Sequence, residues 1–317
     1  MGRNNLNSNK YTNPVTRLLF GVVCCMLWGS AFPGIKLGYE WLVIDGAGSQ
    51  ILFAGLRFTM AGIFTFCYGI IVDAPAMKIR RQNLLPLIGQ GIIQTAIAYI
   101  FFYVGVAHMT GAKSSIINST GAFFSLLFAG LVLRTEKITS RKWLACILGF
   151  AGVVAINLGN GGMGGGFTLL SDGCIIISAV SSGIGTVTSK GLASRESPVA
   201  VTAYQLFTGG VIMIVLGLAL GGRVYGFELK SVLLLLYLAG LSTYAFIIWT
   251  KLLKFNPAGK ISVYGFMTPI FGVFLSGLLL GENVMTVQNV MGLALVCAGV
   301  LIVNSDKSAA GLDRDEG

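Results

Sequence analysis

The sequence predicts an all-α membrane protein, with ten transmembrane helices arranged as two inverted five-helix repeats around a central cavity. Three observations predict it. Apolar runs of spanning length recur almost from end to end of the 317 residues, in a chain that is 55% hydrophobic and 11% charged. Lys and Arg gather on alternate connections between those runs. The second half of the chain repeats the pattern of the first.

The runs lie at 18–37, 48–72, 84–107, 112–133, 143–158, 169–189, 198–220, 231–250, 260–280 and 286–304. A bilayer core takes about 20 apolar residues per helix, so these runs use up most of the chain. Backbone in lipid must satisfy its own hydrogen bonds, which leaves helices or closed barrels. Barrel strands alternate in short segments, whereas these runs are continuously apolar, so helices are expected. Arg3, Lys10 and Arg17 precede the first run in the manner of a signal peptide. That run nevertheless contains Trp28 and continues to Lys36, so it reads as an uncleaved first span. The expected organisation is a cytoplasmic lead at 1–17, a first repeat at 18–158, a glycine-rich outer loop at 159–168, a second repeat at 169–304 and a cytoplasmic tail at 305–317.

The net charge of +10 is a topology signal. With a cytoplasmic N-terminus and ten alternating spans, 17 of the 22 basic residues fall inside. Four, Lys36, Lys113, Arg223 and Lys230, fall outside, and Arg57 lies within a span. That asymmetry is the positive-inside pattern, which predicts a multi-pass protein of the plasma (inner) membrane with both termini cytoplasmic. The expected partners are the lipid bilayer and a small-molecule substrate, with no nucleic acid, in a monomer or weak homodimer. All six cysteines lie in expected spans without zinc or redox spacing, so they read as packing residues; no metal or cofactor is implied.

The repeat is explicit. Ala112-Lys113-Ser114, Phe128-Ala129-Gly130-Leu131-Val132-Leu133 and Glu136 match Ala258-Gly259-Lys260, Phe274-Leu275-Ser276-Gly277-Leu278-Leu279 and Glu282 at an offset of 146. A weaker echo joins the segment starting at Arg57 to that starting at Gln205. Five is odd, so the second unit enters from the opposite face. Inverted repeats are the architecture of transporters that expose one central site to either side in turn.

At these residues the chain resembles the drug/metabolite transporter superfamily, in its EamA-type ten-helix branch. The matching pieces are Leu27-Trp28-Gly29-Ser30-Ala31-Phe32, Leu56-Arg57-Phe58, Thr268-Pro269-Ile270-Phe271, Leu280-Gly281-Glu282, and Gly292 and Gly299. The resemblance implies a cavity lined by helices 1, 3, 4, 6, 8 and 9, with helices 5 and 10 more peripheral. Phe123 stands where the repeat would place a partner of Pro269, so the fourth helix is expected to bend less than the ninth.

Polar side chains inside a bilayer tend to face a cavity or pair with one another. On the candidate lining helices this selects Trp28, Ser30, Gln90, Gln94, Asn118, Ser182, Tyr244 and Tyr264 as substrate-binding residues. Tyr264 and Thr268, four apart, are expected to share a face. The lining is aromatic and hydroxyl-rich with little fixed charge, which suits a small amphipathic molecule. Arg57 reads first as a residue pairing with helix-end carbonyls and second as a contact for a substrate anion. No Asp or Glu falls in the middle of a span, and Glu136 and Glu282 are expected at helix ends, each facing the start of the next helix. With one His, at the end of the third helix, and no mid-span acid, no catalytic residue is expected and the chain is not read as an enzyme. The expected function is export of small amphipathic metabolites, such as amino acids, by alternating access. The alternatives are a multidrug or organic-cation exporter, or a non-transporting membrane scaffold.

Overall fold

The computed structural model of the protein describes residues 10–133, 139–157 and 167–304. Glu136, the tail at 305–317, and most of the lead and of the glycine-rich loop lie outside the described residues. Within them every regular element is helical and no strand occurs.

The chain forms α1 (Pro14–Trp41), α2 (Gly46–Asp73), α3 (Arg81–Ala107), α4 (Gly111–Val132), α5 (Ser140–Asn157), α6 (Leu169–Arg195), α7 (Pro198–Ala219), α8 (Leu229–Phe255), α9 (258–280) and α10 (Val287–Asn304). Seven of these, α1 to α4 and α6 to α8, are long and apolar enough to cross a membrane. The expected fifth, ninth and tenth spans contain the shorter apolar stretches Trp143–Gly152, Thr268–Leu280 and Val287–Gly299. The helices run past the apolar runs that predict them: α1 starts at Pro14, where the Asn13 side chain accepts from the Val15 and Thr16 amides. Such a cap satisfies donors that the first helical turn leaves open.

Packing follows one scheme in both halves. α2 lies along α7, and α5 along α10. α1 packs on α8 and α9, while α6 packs on α3 and α4. The α2–α7 contact is backbone against backbone: a Cβ on Gly62 would come within 2.6 Å of the Phe207 nitrogen, and one on Gly210 within 2.4 Å of the Thr59 nitrogen. Lipid supplies no hydrophobic drive between helices, so close approach of small residues is what holds such a pair.

Both α4 and α9 are interrupted, at equivalent places. α4 breaks at Ser119–Thr120, and α9 passes through a 3-10 segment at Val263–Met267. With the 146-residue offset, Ser119 and Thr120 correspond to Gly265 and Phe266. In α9 the helix restarts at Thr268–Pro269, because proline has no N–H for the preceding turn. In α4 the Ser119 and Thr120 hydroxyls donate to the Ile116 and Ile117 carbonyls at 2.6 and 2.7 Å, competing with the helical ladder. The expectation that α4 would be less disturbed for want of a proline is therefore corrected: α4 is interrupted at this place without one.

Candidate functional site

Helices α1, α3, α4, α6, α8 and α9, with one residue of α2, line a cavity of about 140 Å³. α1 contributes Trp28, Ala31 and Phe32, which recur at helical spacing on one face. α3 contributes Gln94, Tyr99 and Phe102. From α4 come the residues around its break, Asn118 to Ala122 except Thr120, and then Ser125. α6 adds Ser182 and Thr186, four apart, and α8 adds Phe246 and Trp249, three apart. α9 adds Ser262, Gly265 and Thr268, and Arg57 enters from α2.

The walls are aromatic. Trp28 meets Trp249 edge-on at 4.9 Å and Phe246 at 5.6 Å between ring centroids. Phe32 meets Phe102 at 5.4 Å, and Phe102 meets Tyr99 at 5.8 Å. Edge-to-face rings hold one another in place and present stable apolar faces. The Ser125 and Ser262 hydroxyls, 3.0 Å apart, join α4 to α9. Two polar atoms of the lining are buried without a hydrogen-bond partner: the Trp28 Nε1 donor and the Asn118 Oδ1 acceptor.

Arg57 is the one charged residue in the lining and is 1% exposed. Its Nε donates to the Leu238 carbonyl and the Ser242 hydroxyl, both at 3.1 Å. Its Nη1 donates to the Tyr103 hydroxyl and its Nη2 to Ser242, both at 2.9 Å. Leu238 lies well inside α8, so the expected pairing with helix-end carbonyls is corrected to a mid-helix carbonyl and two hydroxyls. Mid-helix carbonyls have a second lone pair to offer.

Of the sequence-selected residues, Trp28, Gln94, Asn118 and Ser182 meet in this cavity; the other four face elsewhere. Ser30 sits about 200° around α1 from Trp28, and hydrogen-bonds the Leu27 carbonyl and the Tyr237 hydroxyl. Gln90 is one turn before Gln94, to which it donates. It also donates to the Gly185 carbonyl at 2.8 Å and accepts from Thr188 at 2.6 Å, so it ties α3 to α6. Tyr244 is 52% exposed, because it lies on the opposite side of α8 from Phe246. Tyr264 turns toward α1, where its hydroxyl accepts from Arg17 at 3.0 Å and its ring covers Gly21. The 3-10 segment explains that last case. At three residues per turn, Ser262, Gly265 and Thr268 eclipse one another, and Tyr264 leaves the face it would share with Thr268 in an α-helix.

A π-helical stretch, Gly91–Ile97, sets the phase of α3 at the cavity. The Ser181 hydroxyl on α6 donates to the Ile93 carbonyl within it at 2.6 Å. Side chains that serve backbone groups in this way stabilise an otherwise rare helix form.

Polar contacts seal the end expected to face outward. Lys113 and Asp172 form a buried ion pair at 2.9 Å, with side chains 2% and 0% exposed. Asp172 sits in the first turn of α6, a buried acid at the end of its span and not in the middle. The left-handed Gly281 (φ 64°) ends α9, and the chain then places Glu282 against α4. Glu282 accepts from the Gly111 and Ala112 amides at 2.8 and 3.1 Å. It therefore caps α4, not the helix that follows it as expected. At the opposite end Glu196 accepts from the Arg80 amide at 3.1 Å and from Asn83 at 2.5 Å. Arg17 reaches Asn256 at 3.2 Å.

Comparison with known proteins places this geometry. The model of the EamA-like transporter family matches twice, over residues 16–158 and 169–305. An uncharacterized transporter of Archaeoglobus fulgidus is 27% identical over 277 residues, which are 87% of this chain and 94% of that protein. The uncharacterized inner membrane transporter YedA of Escherichia coli is 22% identical, over 91% of each chain. A solved crystal structure at 18% identity shares the fold, with a TM-score of 0.68 over 94% of this chain and 99% of its own.

Proposed function

Because the chain belongs to the EamA-like transporter family and is a multi-pass membrane protein, we propose that it is a plasma-membrane secondary transporter exporting small amphipathic metabolites, such as amino acids, by alternating access. One observation carries this reading: an aromatic and hydroxyl-lined cavity is lined by helices drawn from both matched segments. A ligand held there touches both halves at once, so a change in their packing re-exposes it. Trp28, Phe246 and Trp249 supply ring faces, while Gln94, Asn118 and Ser182 supply hydrogen bonds.

The reading includes ten crossings, two inverted repeats and cytoplasmic termini. The parallel packing of α1 on α8 and α9 and of α6 on α3 and α4 supports it, as do the equivalent breaks in α4 and α9. Those breaks touch the cavity and free both helices to bend there. Release to one side would then require opening the seal around Lys113, Asp172 and Glu282.

The test is counterflow in proteoliposomes with labelled amino acids, amines and nucleosides. Exchange of one class by wild type, and its loss in Trp28→Ala with folded protein retained, is the expected result. Absence of exchange across the whole panel would sink the reading and favour a non-transporting membrane role.

A further inference from the structure

We infer that Arg57 is the anion subsite of the cavity and that the transported molecule carries one carboxylate, held by this guanidinium. The inference rests on the transporter reading and narrows it. It starts from charge balance. Arginine stays protonated in proteins, and Arg57 is 1% exposed. Every hydrogen-bond partner it has is neutral: one carbonyl and two hydroxyls. Among the described residues no carboxylate lies within ion-pair distance of it, and none lines the cavity. A buried cation in a membrane ordinarily finds a counter-ion.

The donor count leaves capacity for one. The four bonds use the Nε hydrogen and one hydrogen on each terminal nitrogen. Two of the five N–H groups of the fork remain. The Phe58 ring covers the guanidinium, with Cζ 4.9 Å from its centroid, and so helps fix its plane. A planar guanidinium with two donors to spare is the kind of partner a carboxylate matches. The unpartnered Trp28 Nε1 and Asn118 Oδ1, one donor and one acceptor, belong to residues that line the same cavity. The acceptor suits an N–H of the ligand.

Size and charge set the remaining limits. A cavity of about 150 Å³ takes a benzene-sized guest, and this one is about 140 Å³. A single ring or a short branched chain is a body that fits this space. One cation neutralises a monoanion and leaves a phosphate dianion half-compensated. It also repels an organic cation that brings no negative group. A small α-amino acid and a simple monocarboxylate both meet these terms, and the experiment separates them.

The probes are leucine, 4-methylpentanoate and leucinamide, which share a body and differ in the carboxylate and the amine. Binding is read by intrinsic tryptophan fluorescence, to which Trp28 and Trp249 report, and exchange by counterflow. Leucine is expected to bind roughly 10- to 100-fold more tightly than leucinamide, the range for a hydrogen-bonded charge. Binding of 4-methylpentanoate as tight as leucine assigns the site to carboxylates in general; weaker binding assigns it to amino acids. Arg57→Gln should bring leucine to the level of leucinamide and leave leucinamide unchanged, with Arg57→Lys between. Should Arg57→Gln fail to fold, Arg57→Lys and the wild-type panel decide. Equal binding of leucine and leucinamide, or an acid preference retained in folded Arg57→Gln, overturns the inference. Exchange of amines without acids overturns it and leaves the transporter reading standing; no exchange of any class overturns both.

Discussion

Among the described residues two cations are buried almost completely, and they are handled in opposite ways. Lys113, at the start of α4, has its own carboxylate: Asp172 is 2.9 Å away and equally buried. Arg57, in α2, has only a carbonyl, two hydroxyls and a ring face. The first arrangement is complete within the protein and closes one end of the structure. The second is incomplete and borders the cavity. The contrast separates a charge kept for architecture from one left for a visitor.

The largest expected effect comes from breaking the complete pair. Lys113→Met leaves Asp172 buried without its partner, and a stranded buried charge costs about 3–5 kcal/mol. Thermal unfolding in detergent should show a large fall in Tm. The double variant Lys113→Met, Asp172→Asn should recover most of it, since removing both charges also removes the uncompensated one. A single variant as stable as wild type would show that water or movement already relieves Asp172, and the contrast would collapse.

Arg57→Met should cost less, about 1–2 kcal/mol by the same measurement. The partners it leaves are neutral, and the Ser242 hydroxyl keeps its own 2.9 Å bond to the Leu238 carbonyl. Its larger effect should fall on leucine binding, which stabilises wild type against heat through mass action and should stabilise this variant little. A fall in Tm as deep as that of Lys113→Met would make Arg57 a structural residue like its counterpart.

Ser242→Ala sharpens the contrast further. It removes the hydroxyl that accepts from both Nε and Nη2. Stability should drop by about 1 kcal/mol, and leucine affinity should weaken several-fold as the fork loses its orientation. A change in stability with affinity untouched would show that Ser242 does not orient the anion subsite.

The sequence made one of these cations visible and hid the other. Arg57 stands in an apolar run, so its depth can be read directly. Lys113 stands at the edge of a run and counts as an outer-loop charge; only folding brings Asp172, from the far side of the glycine-rich loop, against it. The helices themselves were legible because lipid permits almost nothing else at such lengths. Which helices surround the cavity came from the family resemblance. What local pattern could not supply was helix phase. An uninterrupted α-helix places Tyr264 with Thr268, but the 3-10 turn before Pro269 rotates Tyr264 onto α1. Phe246 and Trp249 share a face at an i, i+3 spacing that a search confined to mid-span polar groups passes over. Ser119 and Thr120 look like ordinary helix hydroxyls, and α4 breaks at them without the proline that signals the break in α9.

A third cation grades the comparison and gives the smallest expected effect. Lys36, near the end of α1, lies 4.0 Å from Glu282, and its side chain is 25% exposed. Water reaches it, so neither a complete internal partner nor a visiting anion is needed. Lys36→Met should change stability by about 0–1 kcal/mol, as exposed ion pairs do. Glu282→Ala should cost more, about 1–2 kcal/mol, because it removes the acceptor of the Gly111 and Ala112 amides at the start of α4. If the two variants lose equal stability, the Lys36 charge is the main support of Glu282. If Glu282→Ala loses more, the carboxylate serves the helix first and the lysine second. Burial then orders all three cations: demand for a counter-charge rises as water is withdrawn, and Arg57 is the one whose demand the protein itself does not meet.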